Sequence, residues 1–523
     1  MKNKFLTNVI MNVLKKVLGF LMLGGVFYVV TSCTKEEVNY IEPNKKEDIK
    51  ISSITFHSKD NPMQLIGDVT CDIIGDSIIN CWIPYLITDK KLIANISYIG
   101  DKLLIDTVTY TTSSRYDFSK PVKLILSNSD TIKKYMLYVY SFTGLPVLWI
   151  DTDNGVDITS KENYVRAKFK LVENVVTRSV GETIEDSLSI KGRGNATWTA
   201  YPKKPYRLKL DKKYSLLGEP EDKAWVLLAN YSDKTFLRNR LAFYLSSIST
   251  LDYTPRSHFV ELILNGIYQG TYELCEKIEV GENRVNIGKN GFLMEQDGYA
   301  TTEDDSKYFE TNHLERVVNI KEPSVDYGDE NFNYIHNFVL AAENALYSDN
   351  FKDPEEGWKK YLDIETLVDY YLIGEIAKNI DTFRASSTYF TLIPGDKIKF
   401  GPVWDYDHAF GNYVFRDSEK YDGFYTKQYG WLPRLFEDPD FVSKVKERIN
   451  YFYERRFDII SEINDKADYL KHSAIENDMK WGVLFNNYGH DKEIWGNYEN
   501  EVQYLKKWLN LRICWLKEEF DRM

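Results

Sequence analysis

Along residues 49–143 the apolar positions come in short runs. The runs are IKISSITF, VTCDII, IINCWIP, LIANISYI, LIDTVTY, VKLILS and KKYMLYVYSF, and polar turn residues such as Gly75-Asp76, Asp89 and Ser127-Asn128-Ser129-Asp130 part them. Runs this short, closely spaced, predict strands and a small all-β domain, an Ig-like sandwich over 49–143. Gly144-Leu145-Pro146 reads as a boundary, and from VLWIDT onward the pattern mixes strands with helices. Residues 146–300 read mainly as strands with one clear helix, which Ser232 or Asp233 can cap and whose buried face is Leu237, Leu241, Tyr244, Leu245 and Ile248. Residues 331–523 read mainly as helix. The last one carries Val502, Leu505, Leu509, Ile513, Leu516 and Phe520 at three- and four-residue steps, a buried stripe. A strand-rich part (146–300) followed by a helical part (301–523) gives an α+β layout, and it is also the layout of a two-lobed kinase.

The first residues follow a different pattern. Lys2, Lys4, Lys15 and Lys16 precede an uncharged apolar run at 17–30, and Thr31, Ser32 and Cys33 follow. A basic stretch, a short apolar stretch and small residues describe a secretory signal, and the apolar run is short for a stable membrane span. Cys33 after two small residues resembles a lipobox, with Val30 and Ser32 at the places where Leu and Gly or Ala are preferred. Residues 1–33 therefore read as a lipoprotein signal with lipid on Cys33, and 34–48 as a polar linker. Lys35-Glu36-Glu37 resembles the charged signals of outer-surface lipoproteins in the Bacteroidetes. The expected location is the cell envelope, lipid-anchored to the outer membrane, on its periplasmic or its surface side.

At 523 residues the chain is long enough for several domains, and a net charge of −12 opposes nucleic-acid binding. Contact with membrane is expected only through the lipid. Aromatic residues are abundant, with 38 Tyr, 27 Phe and 11 Trp, which serves aromatic-rich cores or surfaces that hold sugars and peptides. Cys71 and Cys81 lie ten residues apart on neighbouring runs; they are either a disulfide of an exported protein or two buried thiols.

Four segments can carry chemistry. In Lys191-Gly192-Arg193-Gly194-Asn195 the glycines and Arg193 can approach a phosphate, or simply form a hairpin turn. In KKPYRLKLDKK, Pro205 should open a strand on which Arg207 and Lys209 share one side; they read as phosphate ligands or as a solvated basic face. In GPVWDYDHAFGN, Asp405 and Asp407 share a side if extended, and such a pair of carboxylates can bind Mg²⁺. Asp381 falls just past the end of the apolar helix that begins near Asp363. The helix dipole disfavours an anion there, so an acid at that place hints at function.

Taken in order, GRGN-x-TW, KKPYRLKL, LLG-x-P-x-x-K-x-WVLLANY-x-DKT-x-LRN, LNG-x-Y-x-G-x-Y-x-L, GFLMEQDG, KEP and GPVWDYDHAFGN resemble the successive motifs of the spore-coat protein H (CotH) kinase-like family. The resemblance runs from Lys191 to Asn412. It implies an atypical protein-kinase-like fold and phosphorylation of protein hydroxyls with ATP and Mg²⁺. By resemblance Asp381 is the catalytic base, Asp405 the metal-binding aspartate with Asp407 in support, and Lys209 the phosphate-contacting lysine, backed by Arg193 and Arg207. Ser386 stands five residues after Asp381, where ordinary kinases place an asparagine metal ligand, and the usual glycine-rich loop and His-Arg-Asp motif are absent.

Two functions compete. One is a metal-dependent phosphotransferase acting on hydroxyls of a protein or peptide acceptor. The other is a non-catalytic surface lipoprotein, a pseudokinase that holds glycan or a protein partner.

Overall fold

The computed structural model describes residues 48–85, 87–173, 183–488 and 493–523. The signal-like segment, Cys33 and the linker up to residue 47 lie outside the described residues. Among the described residues no helix is long and apolar enough to cross a membrane.

The first part contributes strands β1 (Lys50–Phe56), β2 (Val69–Thr70), β3 (Asp72–Ile74), β4 (Ile78–Ile83), β5 (Lys91–Ile93), β6 (Asn95–Ile99), β7 (Lys102–Ile105), β8 (Val108–Thr109), β9 (Arg115–Asp117), β10 (Val122–Ser127) and β11 (Ile132–Ser141). They make a three-stranded sheet β2-β1-β6, a six-stranded sheet β3-β4-β11-β10-β7-β8 and a ribbon β5-β9. Residues from all three pack one apolar core, with Ile54, Phe56, Leu92, Leu124 and Leu137 fully buried. The alternation seen in the sequence does this directly: along β10 Val122, Leu124 and Leu126 are buried and Lys123 is exposed. The Asp72↔Asn80 register carries Cys71 opposite Cys81, and both are buried and not joined in a disulfide.

The next seven strands close on themselves. They are β12 (Val147–Thr152), β13 (Val165–Val172), β14 (Thr183–Gly192), β15 (Tyr206–Tyr214), β16 (Asp222–Leu228), β17 (Ser257–Leu264) and β18 (Ile267–Glu276). Their order is β12-β13-β14-β15-β16-β18-β17, and a parallel pairing of β12 with β17 closes the barrel. Alternate residues such as Phe169, Leu188, Leu208, Trp225, Val260 and Leu274 fill it. Two helices interrupt the strands, α1 (Ala196–Ala200) and α2 (Arg238–Ser247). Helix α2 starts later than the capping residues predict. Asp233 is not its N-cap; its carboxylate accepts instead from the Thr235 and Arg238 amides at 3.0 and 2.8 Å, within a buried ion pair with Arg238.

The remainder supplies strands β19 (Phe292–Gln296), β20 (Tyr308–Phe309), β21 (Val318–Glu322), β22 (Thr388–Leu392) and β23 (Lys399–Phe400), in one antiparallel sheet of order β20-β21-β19-β22-β23. Its helices are α3 (Glu330–Leu346), α4 (Ile364–Ala377), α5 (Leu432–Leu435), α6 (Pro439–Glu454), α7 (Arg456–Trp481) and α8 (Tyr498–Arg522). The sheet straddles residue 300, because β19 lies before it and pairs with β21 and β22 after it. All six residues of the predicted stripe on α8 are buried.

One core joins the outer barrel face (Val226, Leu228, Cys275), helix α2, this sheet and the helices. At its centre Arg512 of α8 donates to the Glu375 carboxylate at 2.6 Å, and both side chains are fully buried. Residues 49–143 pack against the rest of the same compact unit, Ile49–Met523. Trp82, Tyr140 and Phe142 meet Val147, Ile263 and Tyr268, and beside them Lys90 and Glu476 form a buried ion pair at 2.7 Å.

Candidate active site

Helix α4 sets the first half of the site. The Asp363 carboxylate caps it by accepting from the Thr366 amide at 2.9 Å, and Lys378 ends it in a left-handed turn with φ 44°. Asp381 therefore falls in the loop just beyond, as the sequence predicts. Asn379 fixes that loop: its Oδ1 accepts from the Asp381 amide at 2.8 Å, and its Nδ2 donates to the Asp405 carbonyl at 2.9 Å. One buried amide side chain thus ties the two candidate acids together.

The segment from Gly401 to Asn412 sets the other half. The Tyr406 amide donates to Asn239 at 2.7 Å, Arg238 Nε to the Ala409 carbonyl at 3.1 Å, and Asn412 to the Ser232 carbonyl at 3.1 Å. Asp405 is held at φ 69°, a conformation costly for a residue with a Cβ and one that persists only when surrounding contacts impose it.

These contacts bring Asp381, Asp405 and Asp407 together. Asp405 is exposed, whereas Asp407 is buried and accepts a hydrogen bond from Ser232 Oγ at 3.1 Å. The two carboxyl groups share a hydrogen bond. Loss of solvation, then repulsion by Asp407, raises Asp405 to about 6, and Arg193 and His408 oppose the rise. Asp381 is also raised to about 6, by desolvation and then by Asp405. Arg384 holds Asp381 by its Oδ1 at 3.2 Å.

The basic residues divide. Arg193 sits 5.5 Å over the Trp404 ring and acts on Asp405, so it belongs to the cleft. Gly192 beside it leaves room for another ring: a Cβ there would stand 2.4 Å from Trp198. Pro205 does open strand β15, and Arg207 and Lys209 do lie on one side of it. Arg207 is partly buried, its Nε has no hydrogen-bond partner, and it acts on Lys191 and Lys277. Lys209 is exposed, opposite Ser189 and Ala224, and is not among the groups that act most on the carboxylates.

Several residues of the site carried no role in the sequence reading. Lys277, just past β18, is pushed down by desolvation and by Arg207, with Glu279 at 3.0 Å. Glu295 and Asp297 at the end of β19 face Lys321 of β21 at 3.3 and 3.6 Å. Burial raises Glu295 to about 7, and Lys321 opposes it. Glu295 accepts from the Ser387 amide at 3.1 Å, and Ser386 Oγ accepts from the Gly298 amide at 3.0 Å, so this pair of strands braces the loop that bears Asp381. The segments GFLMEQDG and KEP hold these residues, but nothing local in the sequence shows that β19 and β21 are neighbours.

The sequence from 189 to 516 matches the family model described as CotH kinase protein. The chain belongs to the CotH kinase family. The match spans the barrel from the end of β14 to β18, the antiparallel sheet, the three aspartates and most of α8, so Arg193, Asp381, Asp405 and Asp407 all lie inside the family region. No curated protein matches the chain. Among solved structures it is similar to a Bacteroides thetaiotaomicron protein provisionally described as a glycoside hydrolase. Identity is 14% over 57% of this chain and 87% of that one, with a TM-score of 0.17, a likeness too remote to bear on activity.

Among the described residues no three His, Cys, Asp or Glu side chains are grouped so as to hold a metal by themselves. Mg²⁺ asks for less: one or two carboxylates, with waters and substrate phosphate oxygens completing its shell. Asp405 and Asp407, in contact and repelling one another, fit that requirement. Arg207, whose Nε has no hydrogen-bond partner among the described residues, and Lys277, pushed down by desolvation, act on one another and suit an anion.

Proposed function

We propose that this CotH family protein is a metal-dependent phosphotransferase that uses ATP and Mg²⁺ to phosphorylate hydroxyl groups of a protein or peptide at the cell envelope. The convergence of Asp381, Asp405 and Asp407 on one cleft, with Arg193 at its edge, carries this reading. Asp405, with Asp407 beside it, would hold the metal, which when bound supplies charge neutralisation to the phosphates. Arg193 and Arg207 would hold phosphate oxygens. Lys277 joins them, ahead of Lys209, because it is enclosed with Arg207 whereas Lys209 is exposed.

Asp381 then accepts the proton of the acceptor hydroxyl as its oxygen bonds to the γ-phosphorus and the bond to the leaving nucleoside diphosphate breaks. A group raised to about 6 is mostly ionised at neutral pH yet a stronger base than an ordinary aspartate. Arg384, on its other side, orients it.

In the same reading the barrel is the strand-rich lobe of an atypical kinase fold, the antiparallel sheet and helices are the second lobe, and residues 49–143 are an Ig-like recognition or spacer domain. Lipid on Cys33 would hold the whole at the outer membrane.

The test is transfer of labelled γ-phosphate to a serine-containing protein substrate with and without Mg²⁺. Wild type should transfer, with a rate that rises with pH through about 6 as Asp381 ionises. Asp381→Asn should lose transfer by about a hundredfold or more while still binding nucleotide. Equal transfer by Asp381→Asn would remove it from the mechanism.

A further inference from the structure

A second hollow opens beside Asp381. It has a volume of about 620 Å³, and Lys378, Arg416, Lys420, Asp417, Asp422 and Tyr425 stand in its wall. Its link to Asp381 runs through Arg384, which bonds the Asp381 carboxylate at 3.2 Å and with Arg416 flanks the Phe415 ring at 5.0 and 5.3 Å.

Three features show what the hollow lacks. Tyr425 is 2% exposed, and its hydroxyl has no hydrogen-bond partner among the described residues. A buried hydroxyl left unpaired is costly, so a group entering the hollow would relieve it. Arg416 is exposed and donates to the Tyr429 hydroxyl at 3.3 Å, and among the described residues it forms no ion pair with a carboxylate. The Lys378 ammonium is held by the backbone carbonyls of Asp417 and Asp422, not by a carboxylate, and desolvation lowers it to about 8. Of the two acids in the wall, Asp417 is already paired with Lys420 at 2.8 Å. The wall therefore holds three cations against two carboxylates, a net charge of +1, and Asp422 acts on Lys378, so Arg416 is the exposed cation of the wall without an ion pair among the described residues.

We infer that this hollow is the acceptor subsite and that it takes a peptide with an acidic side chain near the hydroxyl to be phosphorylated. The acidic side chain would bond Arg416 and lie toward Lys378. The Tyr425 hydroxyl would donate to the same segment. That places the neighbouring hydroxyl toward Asp381. The inference rests on the phosphotransferase reading, since it assigns the acceptor of that reaction.

The test measures binding without turnover. Three fluorescent serine peptides, with Asp, Ala or Lys flanking the serine, are titrated against the full chain. The Asp peptide should bind about tenfold more tightly than the Lys peptide, the scale of one charge-assisted hydrogen bond. Arg416→Glu should reverse that order, and Tyr425→Phe should weaken the Asp peptide a few-fold. Equal affinity for the Asp and Lys peptides, preference for Lys, or a preference that Arg416→Glu leaves intact would overturn the inference. Nucleotide titration of the same samples reports on the phosphotransferase reading separately. Protein that binds nucleotide but does not discriminate the peptides refutes the subsite alone.

Discussion

Asp405 and Asp407 are two acids in contact, one of them in a left-handed backbone conformation, and their arrangement costs the protein stability wherever both are ionised. The sign follows from the direction of the shifts. Asp381 and Asp405 are raised, so the folded chain keeps protons that the unfolded chain releases, and stability falls as pH rises from about 4 to about 6. Asp405→Asn should therefore raise the melting temperature of metal-free protein at pH 8 by about a degree, because solvent screens part of the repulsion at this exposed residue, and change it little at pH 4. A lower melting temperature at pH 8 would show that the acids are not in conflict. Arg512 and Glu375 present the opposite case. Glu375 also accepts from the Tyr425 and Lys427 amides at 2.6 and 2.8 Å, so it ties three segments together. Arg512→Met would strand a buried carboxylate and should cost about 3–5 kcal/mol, read from denaturant unfolding. A loss under about 1 kcal/mol would mean that solvent reaches the pair.

At the scale of elements, local pattern and long-range pairing part company. The stripe on α8, the start of α4 near Asp363 and the opening of β15 after Pro205 are legible because each depends on residues a few positions apart. Closure of the barrel was not, because β12 meets β17 more than a hundred residues later. The sheet built on β19 was hidden for a related reason: Phe292–Gln296 is buried at every position, so it lacks the alternation that reveals a face. The same limit governs the site. Asp381, Asp405 and Asp407 sit in dense local motifs and could be picked out. Lys277, Asn379 and the Glu295–Asp297–Lys321 group act through partners distant in sequence. By sequence Gly192 suits either approach to a phosphate or a hairpin turn, and its place in the fold is to admit the Trp198 ring. Gly192→Ala should cost about 1–3 kcal/mol from overpacking. It should also weaken nucleotide binding, since Arg193 is the next residue. Unchanged unfolding and nucleotide titrations would show that Trp198 moves aside freely.

For the molecule as a whole, the boundary at Gly144-Leu145-Pro146 is a proposal that bears on folding. Residues 146–523 contain the barrel, the antiparallel sheet and the large core, and should fold when expressed alone. They should melt cooperatively but at a lower temperature than the full chain. Removing 49–143 uncovers Val147, Ile263 and Tyr268 and takes Lys90 from Glu476. A fragment with no cooperative melt would make the two parts one folding unit. Calorimetric titration of ATP with and without Mg²⁺ reads the chemistry of the three aspartates. Wild type should bind in Mg²⁺ and weakly or not at all without it. Asp405→Asn should lose the metal-dependent part, and Asp381→Asn should keep it. Wild-type protein that binds no ATP at millimolar Mg²⁺ would contradict the account and leave a surface protein whose cleft holds no nucleotide.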